Sequence, residues 1–118
     1  MLSDSILTTV KKMLGLTEDN VEFDMDIILW INNAMQVLKQ IGIGPQDKAF
    51  SITDASATWN DYIPDMSNWE PVKTYISIRV KRDFDPPDNG STLQAINDNI
   101  SEMEFRLNSE VDYYNKEN

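Results

Sequence analysis

The chain has 118 residues, of which 20 are acidic and 10 are basic, so its formal net charge is −10. A hydrophobic share of 41% at this length predicts one domain with a genuine core. The acidic excess opposes non-specific DNA binding, because phosphates attract Lys and Arg. The chain has neither Cys nor His, which removes thiol nucleophiles, His bases and almost every zinc site. Composition therefore favours a protein that assembles over an enzyme.

The first helix is predicted from about Asp4 to Leu14, with Ser3 as its N-cap and Gly15 at its end. Its apolar positions form one stripe, made of Ile6, Leu7, Val10, Met13 and Leu14. The second helix is predicted from Asp24 to Ile41, with Gly42 as its C-cap.

The apolar face of the second helix is wider than a surface helix needs. Its central stripe repeats at steps of three and four, through Ile27, Ile31, Ala34, Leu38 and Ile41. Trp30 and Val37 widen the stripe on one side, and Ile28 and Met35 widen it on the other. The pattern indicates either a central core helix or a helix with a partner on a second side.

The segment Gly42–Met66 is predicted to be largely irregular. Phe50 and Ile52 alternate with polar residues, which allows one short strand, and residues 56–62 are predicted to form a short helix that turns Trp59 inward. The segment is longer than the ~12–15 residues expected of a plain connection, so we interpret it as functional.

The third long helix is predicted to start at Ser67 or Asn68 and to end at Phe84, before Pro86 and Pro87. Its inner face is predicted to consist of Val72, Tyr75, Ile76 and Val80. Ile78 lies well round the helix from that face, which indicates a second contact surface.

The last helix is predicted to open with Ser91 and Gln94 as a capping-box pair. Its stripe keeps strict helical spacing, through Leu93, Ile96, Ile100, Met103, Leu107, Val111 and Tyr114. The predicted fold is all-α: a single domain over residues 1–118, with about four principal helices and at most one short β element. Residues 109–118 are a candidate flexible tail.

No cofactor, metal or catalytic residue is predicted. The acidic run Glu18–Asp26 lacks the glycine and the bidentate glutamate of a calcium loop, so we interpret it as a solvated loop and an acidic helix start. No phosphate loop or nucleophile elbow is present in the sequence. No window approaches 18 apolar residues, and the first residues lack the pattern of a signal peptide.

Four cations cluster on the third long helix: Lys73, Arg79, Lys81 and Arg82. They could form a channel surface that faces DNA phosphates. They could instead pair with carboxylates of a neighbouring helix or subunit, and we favour this interpretation because exposed cations in so acidic a chain meet carboxylates first.

Three segments resemble the head–tail connector (adaptor) proteins of tailed phages. They are Val72-Lys73-Thr74-Tyr75-Ile76, Phe84-Asp85-Pro86-Pro87 and Ile100-Ser101-Glu102-Met103-Glu104-Phe105-Arg106-Leu107-Asn108. Thr58-Trp59-Asn60-Asp61-Tyr62 is also similar to a segment of that group. The resemblance covers about Leu7 to Asn108, and its motifs are structural and not catalytic.

The resemblance implies a virion structural protein of the head–tail junction, assembled in the host cytoplasm. Such a subunit forms a ring, commonly of twelve copies, beneath the portal protein. The ring extends the DNA channel without sequence-specific binding and receives the stopper or tail-completion protein. Two alternatives stay open: a small protein-binding or regulatory domain, and a helical nucleic-acid-binding protein. Ring closure through many weak interfaces also leaves open that the isolated subunit is monomeric.

Two regions are candidate partner interfaces. The long irregular segment is a candidate contact with a neighbouring subunit, through Pro45, Gln46, Lys48 and Trp59. The C-terminal region is a candidate dock for the portal, through Val111, Tyr113 and Tyr114. In the alternative interpretation, Val111 and Tyr114 complete the core stripe of the last helix.

Overall fold

The computed structural model describes residues 4–64 and 70–117, apart from the side chains of 113–117. Five helices lie in this part of the chain: α1 (Ile6–Met13), α2 (Asp24–Ile41), α3 (Trp59–Tyr62), α4 (Glu70–Phe84) and α5 (Gly90–Glu117). The described residues form no strand, and one isolated antiparallel bridge joins Ser5 to Thr58. The all-α prediction, with four principal helices and at most one short β element, is confirmed.

Helix α1 begins two residues later than the sequence predicted. Ser5 is its N-cap, because the Ser5 side chain accepts a hydrogen bond from the Thr8 backbone N–H at 3.2 Å. The bridge to Thr58 holds Ser5 in the extended conformation that an N-cap requires. The predicted cap, Ser3, lies outside the described residues. Of the predicted apolar stripe of α1, Ile6, Leu7 and Val10 are buried, whereas the Met13 side chain is 58% exposed.

A buried ion pair joins α1 to the start of α2. Lys11 is 3% exposed, and its Nζ lies 2.8 Å from Asp24 Oδ1. The same Nζ donates a hydrogen bond to the Glu18 carbonyl oxygen at 3.0 Å. The ammonium group of Lys11 thereby links α1 to the loop after it and to the first turn of α2.

Helix α2 has the predicted boundaries and forms the centre of the core. Gly42 ends it in the left-handed conformation, with φ of 110°, and its N–H donates to the Leu38 and Lys39 carbonyls. The α2 side chains at the core are Ile27, Ile31, Ala34, Met35 and Leu38. Helix α2 packs chiefly on α4, and more lightly on α1 and α5.

The segment after α2 packs onto the domain without forming the predicted strand. Asn32 of α2 accepts a hydrogen bond from the Ile52 N–H at 2.8 Å and donates one to the Ile52 carbonyl at 3.0 Å. These bonds satisfy the backbone groups that a strand partner would otherwise take. Ile43 and Ile52 are buried, so the segment adds to the core of its own subunit.

The predicted short helix is present as α3, which starts three residues later than predicted because Thr58 is its N-cap, and it turns Trp59 and Tyr62 inward. Thr58 and Asp61 make a reciprocal capping box at its start, with hydrogen bonds of 3.0 and 3.1 Å. Trp59 is 2% exposed, and its Nε1 donates to Thr9 Oγ1 at 3.1 Å. The indole is therefore an anchor between α3 and α1.

Helix α4 ends at Phe84, as predicted, and its predicted inner face is buried. The predicted start at Ser67 or Asn68 lies outside the described residues. The Phe84 ring meets Phe23 edge-on, with ring centroids 5.3 Å apart, and Trp30, with centroids 6.4 Å apart. This cluster attaches the end of α4 to α2.

Helix α5 is capped by Asn89 and not by the predicted pair. Asn89 Oδ1 accepts hydrogen bonds from the N–H groups of Ser91 at 2.7 Å and Thr92 at 3.1 Å. Gln94 donates to Asp98 at 2.9 Å and so does not reach back to the cap. At ~1.5 Å per residue the helix spans roughly 42 Å, close to the longest dimension of the domain, 43 Å. Residues 109–117 continue this helix.

Candidate assembly surfaces

Three of the four α4 cations lie beside carboxylates of the same chain. The pairs are Lys73 with Glu70 at 3.3 Å, Arg79 with Glu104 at 3.4 Å and Arg82 with Asp83 at 3.3 Å. Lys73 Nζ also lies 5.6 Å from the centroid of the Trp59 ring, close enough for a cation–π contact. The cluster is therefore largely neutralised within the subunit.

The Arg79 pair belongs to a network that fastens α4 to α5. The Tyr75 hydroxyl donates to Glu104 Oε2 at 2.7 Å, and Arg79 Nη1 donates to the Tyr75 oxygen at 3.3 Å. Burial, and then the hydrogen bond to Glu104, raises the pKa of Tyr75 to about 12. Because Arg79 is 18% exposed and held by this network, it is a structural cation.

Lys81 is the exception among the four. It is exposed, and no carboxylate of residues 4–64 and 70–117 lies within 4 Å of it. It lines a cleft of about 320 Å³ between α4 and α5, which we call the α4–α5 cleft. Its lining is Ile78, Lys81, Arg82, Asp85, Pro87, Ile96 and Asn99. Ile78, for which the sequence predicts a second contact surface, lines this largely apolar cleft.

A row of exposed apolar side chains lies on α2 and in the turn before it. Met25 is 86% exposed, Leu29 is 57% exposed and Val21 is 66% exposed. Met25 and Leu29 are one helical turn apart and so share a face. We call these three residues the α2 patch. Exposed apolar groups that recur on one face are typical of interaction sites.

A second groove runs between the last turns of α2 and the C-terminal half of α5. It is about 410 Å³ in volume and is lined in part by Val37, Ile41 and Phe105. Phe105 is 73% exposed. Val37, which widens the predicted apolar face of α2, is therefore only partly covered by α5.

The four interface candidates in the segment after α2 divide into two groups. Gln46 and Lys48 are exposed, and Pro45 is half-buried. Trp59 lies in the core, as predicted for the short helix, so its second assignment as an interface candidate is wrong. It joins α3 to α1 instead, through the hydrogen bond to Thr9, which lies 50 residues away in the sequence.

The C-terminal candidates also differ in their placement. Val111 is 9% exposed, and a Cβ added to Gly42 would lie 3.2 Å from Val111 Cγ1. The Val111 side chain thus packs against the end of α2, as the core-stripe alternative expects. The side chains of Tyr113 and Tyr114 lie outside the described residues.

Among residues 4–64 and 70–117, no three acidic side chains come together in a way that could hold a metal ion. None of the helices described is both long enough and apolar enough to cross a membrane.

Comparison with known protein families identifies the class of this subunit. A family profile described as "Phage connector protein" matches residues 6–114, nearly the whole chain. No curated protein and no solved structure shows significant similarity to the chain. The chain belongs to the phage connector protein family, and its role is that of a structural connector in the phage particle.

Proposed function

We propose that this chain is the head–tail connector, or adaptor, subunit that forms a ring beneath the portal protein. The ring extends the DNA channel and receives the stopper or tail-completion protein. The observation that carries the proposal is the family match over residues 6–114. The outward apolar surfaces of a well-packed subunit support it, because such surfaces are costly unless a partner covers them.

The charge distribution supports passage of DNA and not capture of DNA. The chain carries a net charge of −10, and three of the four α4 cations are engaged by carboxylates. A channel wall with few free cations releases few counterions from DNA and so holds it weakly. DNA can then move through the lumen without sequence-specific contacts.

Two contacts within this assembly are part of the proposal. We assign Pro45, Gln46 and Lys48 to a contact with a neighbouring subunit, since Gln46 and Lys48 are exposed on a segment that Ile43 and Ile52 anchor in the core. We assign Tyr113 and Tyr114 to the portal contact, since they are aromatic residues that follow Val111, the last buried side chain among the described residues of α5.

The portal-binding role is tested with phage capsids that carry a portal and packaged DNA but lack this protein. The purified chain is added, and binding is followed by sedimentation and cryo-electron microscopy. We expect a ring of this chain below the portal and no binding to capsids without a portal. Absence of portal-dependent binding would refute the proposal.

A truncation then isolates the C-terminal contact. Removal of residues after Asp112 keeps Val111, whose side chain packs against Gly42. We expect this variant to melt at nearly the normal temperature and to lose binding to the portal. Truncation after Asn108 is the control, because it also removes Val111 and should destabilise the subunit itself. Full portal binding by the chain that ends at Asp112 would reject the assignment.

The contact through the irregular segment is tested by Lys48→Glu. The side chain is exposed, so folding should be retained while ring assembly on the portal weakens. Lys12→Glu on α1 is a matched control with an exposed lysine. If both variants assemble equally well, residues 45–48 are not at the subunit boundary.

A further inference from the structure

The α2 patch lies on the side of α2 that faces away from the core. With about 100° of rotation per residue, Leu29 lies about 160° round the helix axis from both Ile27 and Ile31. Both of those isoleucines are fully buried. Met25 lies about 160° from Ile27 by the same reckoning. The patch therefore plays no part in holding the subunit together.

In the α4–α5 cleft, the α4 residue Ile78 also lies away from two buried positions of its helix. Ile78 lies about 160° round α4 from Ile76 and from Val80, which are both fully buried. The inner faces of α2 and α4 are packed against one another. Met25 and Leu29 thus lie opposite the buried side of α2, whereas Ile78 lies between α4 and α5, so the α2 patch and the α4–α5 cleft are different surfaces of the subunit.

The two surfaces are complementary in polarity. The cleft has an apolar lining from Ile78, Pro87 and Ile96 that is only partly covered, so it can receive apolar side chains. The patch supplies three such side chains: Val21, Met25 and Leu29. Neither surface finds its counterpart within the described part of its own subunit.

The two surfaces are also complementary in charge. Glu22 and Asp26 are exposed next to the patch residues in sequence, and neither has an ion-pair partner among the described residues. The cleft carries Lys81, which has no carboxylate within 4 Å in that same part of the chain, together with Arg82 and one carboxylate, Asp85. Carboxylates at the rim of the patch would meet the unpaired cation at the rim of the cleft.

We propose that the α2 patch of one subunit docks into the α4–α5 cleft of the next copy of the same chain. This inference rests on the proposed ring and specifies which faces build it. Because the patch and the cleft are different surfaces, the contact is heterologous and leaves a free patch on one copy and a free cleft on the other. Successive copies close into the proposed ring when the rotation between neighbours brings the last cleft to the first patch.

Cross-linking tests the pairing directly, since the chain has no native cysteine. Leu29→Cys and Lys81→Cys are made in separate full-length chains, mixed in equal amounts and assembled on portal-bearing capsids. A short bismaleimide reagent is then added. We expect covalent dimers of the two different variants, in several-fold excess over those formed when either variant is assembled alone.

The matched control replaces Lys81→Cys by Ser109→Cys. Ser109 is exposed on α5, and it lies 13 residues, about 20 Å, along the helix from Ile96 of the cleft. The Leu29→Cys and Ser109→Cys mixture should give few dimers. Equal yields from the two mixtures, or a majority of dimers between two Leu29→Cys chains, would overturn the proposed pairing.

A charge reversal gives a second, independent measurement. Lys81→Glu should reduce assembly on the portal several-fold relative to Lys12→Glu, because only Lys81 faces carboxylates of the neighbour. Equal assembly by the two variants would overturn the pairing. A wild-type ring seen by microscopy without the expected cross-link overturns this interface alone, whereas failure of the wild-type chain to bind any portal overturns the proposed function.

Discussion

The buried ion pair between Lys11 and Asp24 gives the sharpest prediction about the stability of the subunit. Lys11→Met keeps most of the side-chain length and removes the charge, so it isolates the polar contacts from packing. The change leaves one oxygen of Asp24 and the Glu18 carbonyl without their partner. Breaking a fully buried pair costs roughly 3–5 kcal/mol. Because the Asp24 side chain is 24% exposed and water can reach it, we expect Lys11→Met to cost about 2–3 kcal/mol.

Removal of the charge on the other partner, Asp24, should cost more free energy of unfolding. In Asp24→Asn the ammonium of Lys11 stays in the protein, where the side chain is only 3% exposed and cannot be solvated. We therefore expect the loss to approach the upper part of the roughly 3–5 kcal/mol range. Asp24 also lies in the first turn of α2, where a negative charge contributes ~0.3–1 kcal/mol through the helix dipole. Asp26→Asn in the same turn is the control for that contribution.

The assay is urea unfolding followed by circular dichroism, applied to both single variants and to the double variant. Because the two residues are in contact, we expect the double variant to be more stable than the sum of the single losses predicts. Two results would refute the reasoning: a loss below ~0.5 kcal/mol in Lys11→Met, or a smaller loss in Asp24→Asn than in Lys11→Met. Either would mean that the pair is solvated in the native state.

Three further predictions concern other parts of the fold. Leu38→Ala and Ile100→Ala should each cost roughly 2–5 kcal/mol in urea unfolding, since both side chains are buried; losses below ~0.5 kcal/mol would place them outside the core. Gly44→Ala should be destabilising by thermal melting, and more so than Gly15→Ala: both have positive φ, but only at Gly44 would the new Cβ meet a ring carbon at 2.7 Å. Tyr75 keeps its proton to a higher pH when folded than when unfolded, so its contribution to stability is complete below pH ~10 and is lost as pH rises through about 12. Urea unfolding of Tyr75→Phe should accordingly show a shallower loss of stability over that interval than the wild type.

The sequence predicted the long helices and most of the core because these depend on local periodicity. Ile31, Leu38, Ile76, Val80, Ile100 and Leu107 repeat at helical spacing, and all six are buried. Helix ends were less certain, because several polar residues compete for one cap. Asn89 displaced the predicted Ser91 pair because its carboxamide oxygen accepts from two successive N–H groups.

The packing of the irregular segment could not be predicted from the sequence. Its position depends on Asn32, which lies 20 residues from Ile52, and on Thr9, which lies 50 residues from Trp59. Contacts at such separations leave no periodic signal. For the same reason, the sequence shows the cation cluster on α4 but not which of its members are paired. Only the fold shows that Arg79 is held by Glu104 and that Lys81 has no carboxylate near it in the described part of the chain.

One structural rule accounts for both the stable subunit and its capacity to assemble. Apolar residues in phase with the core stripe of α2 are buried, whereas Met25 and Leu29, about 160° out of phase with Ile27, remain exposed. Met25 and Leu29 add little to the folding of the monomer, since they stay largely in water in both the folded and the unfolded states. The proposed docking onto a neighbouring copy would remove these apolar side chains from water and so give their exposure a role in the assembled connector.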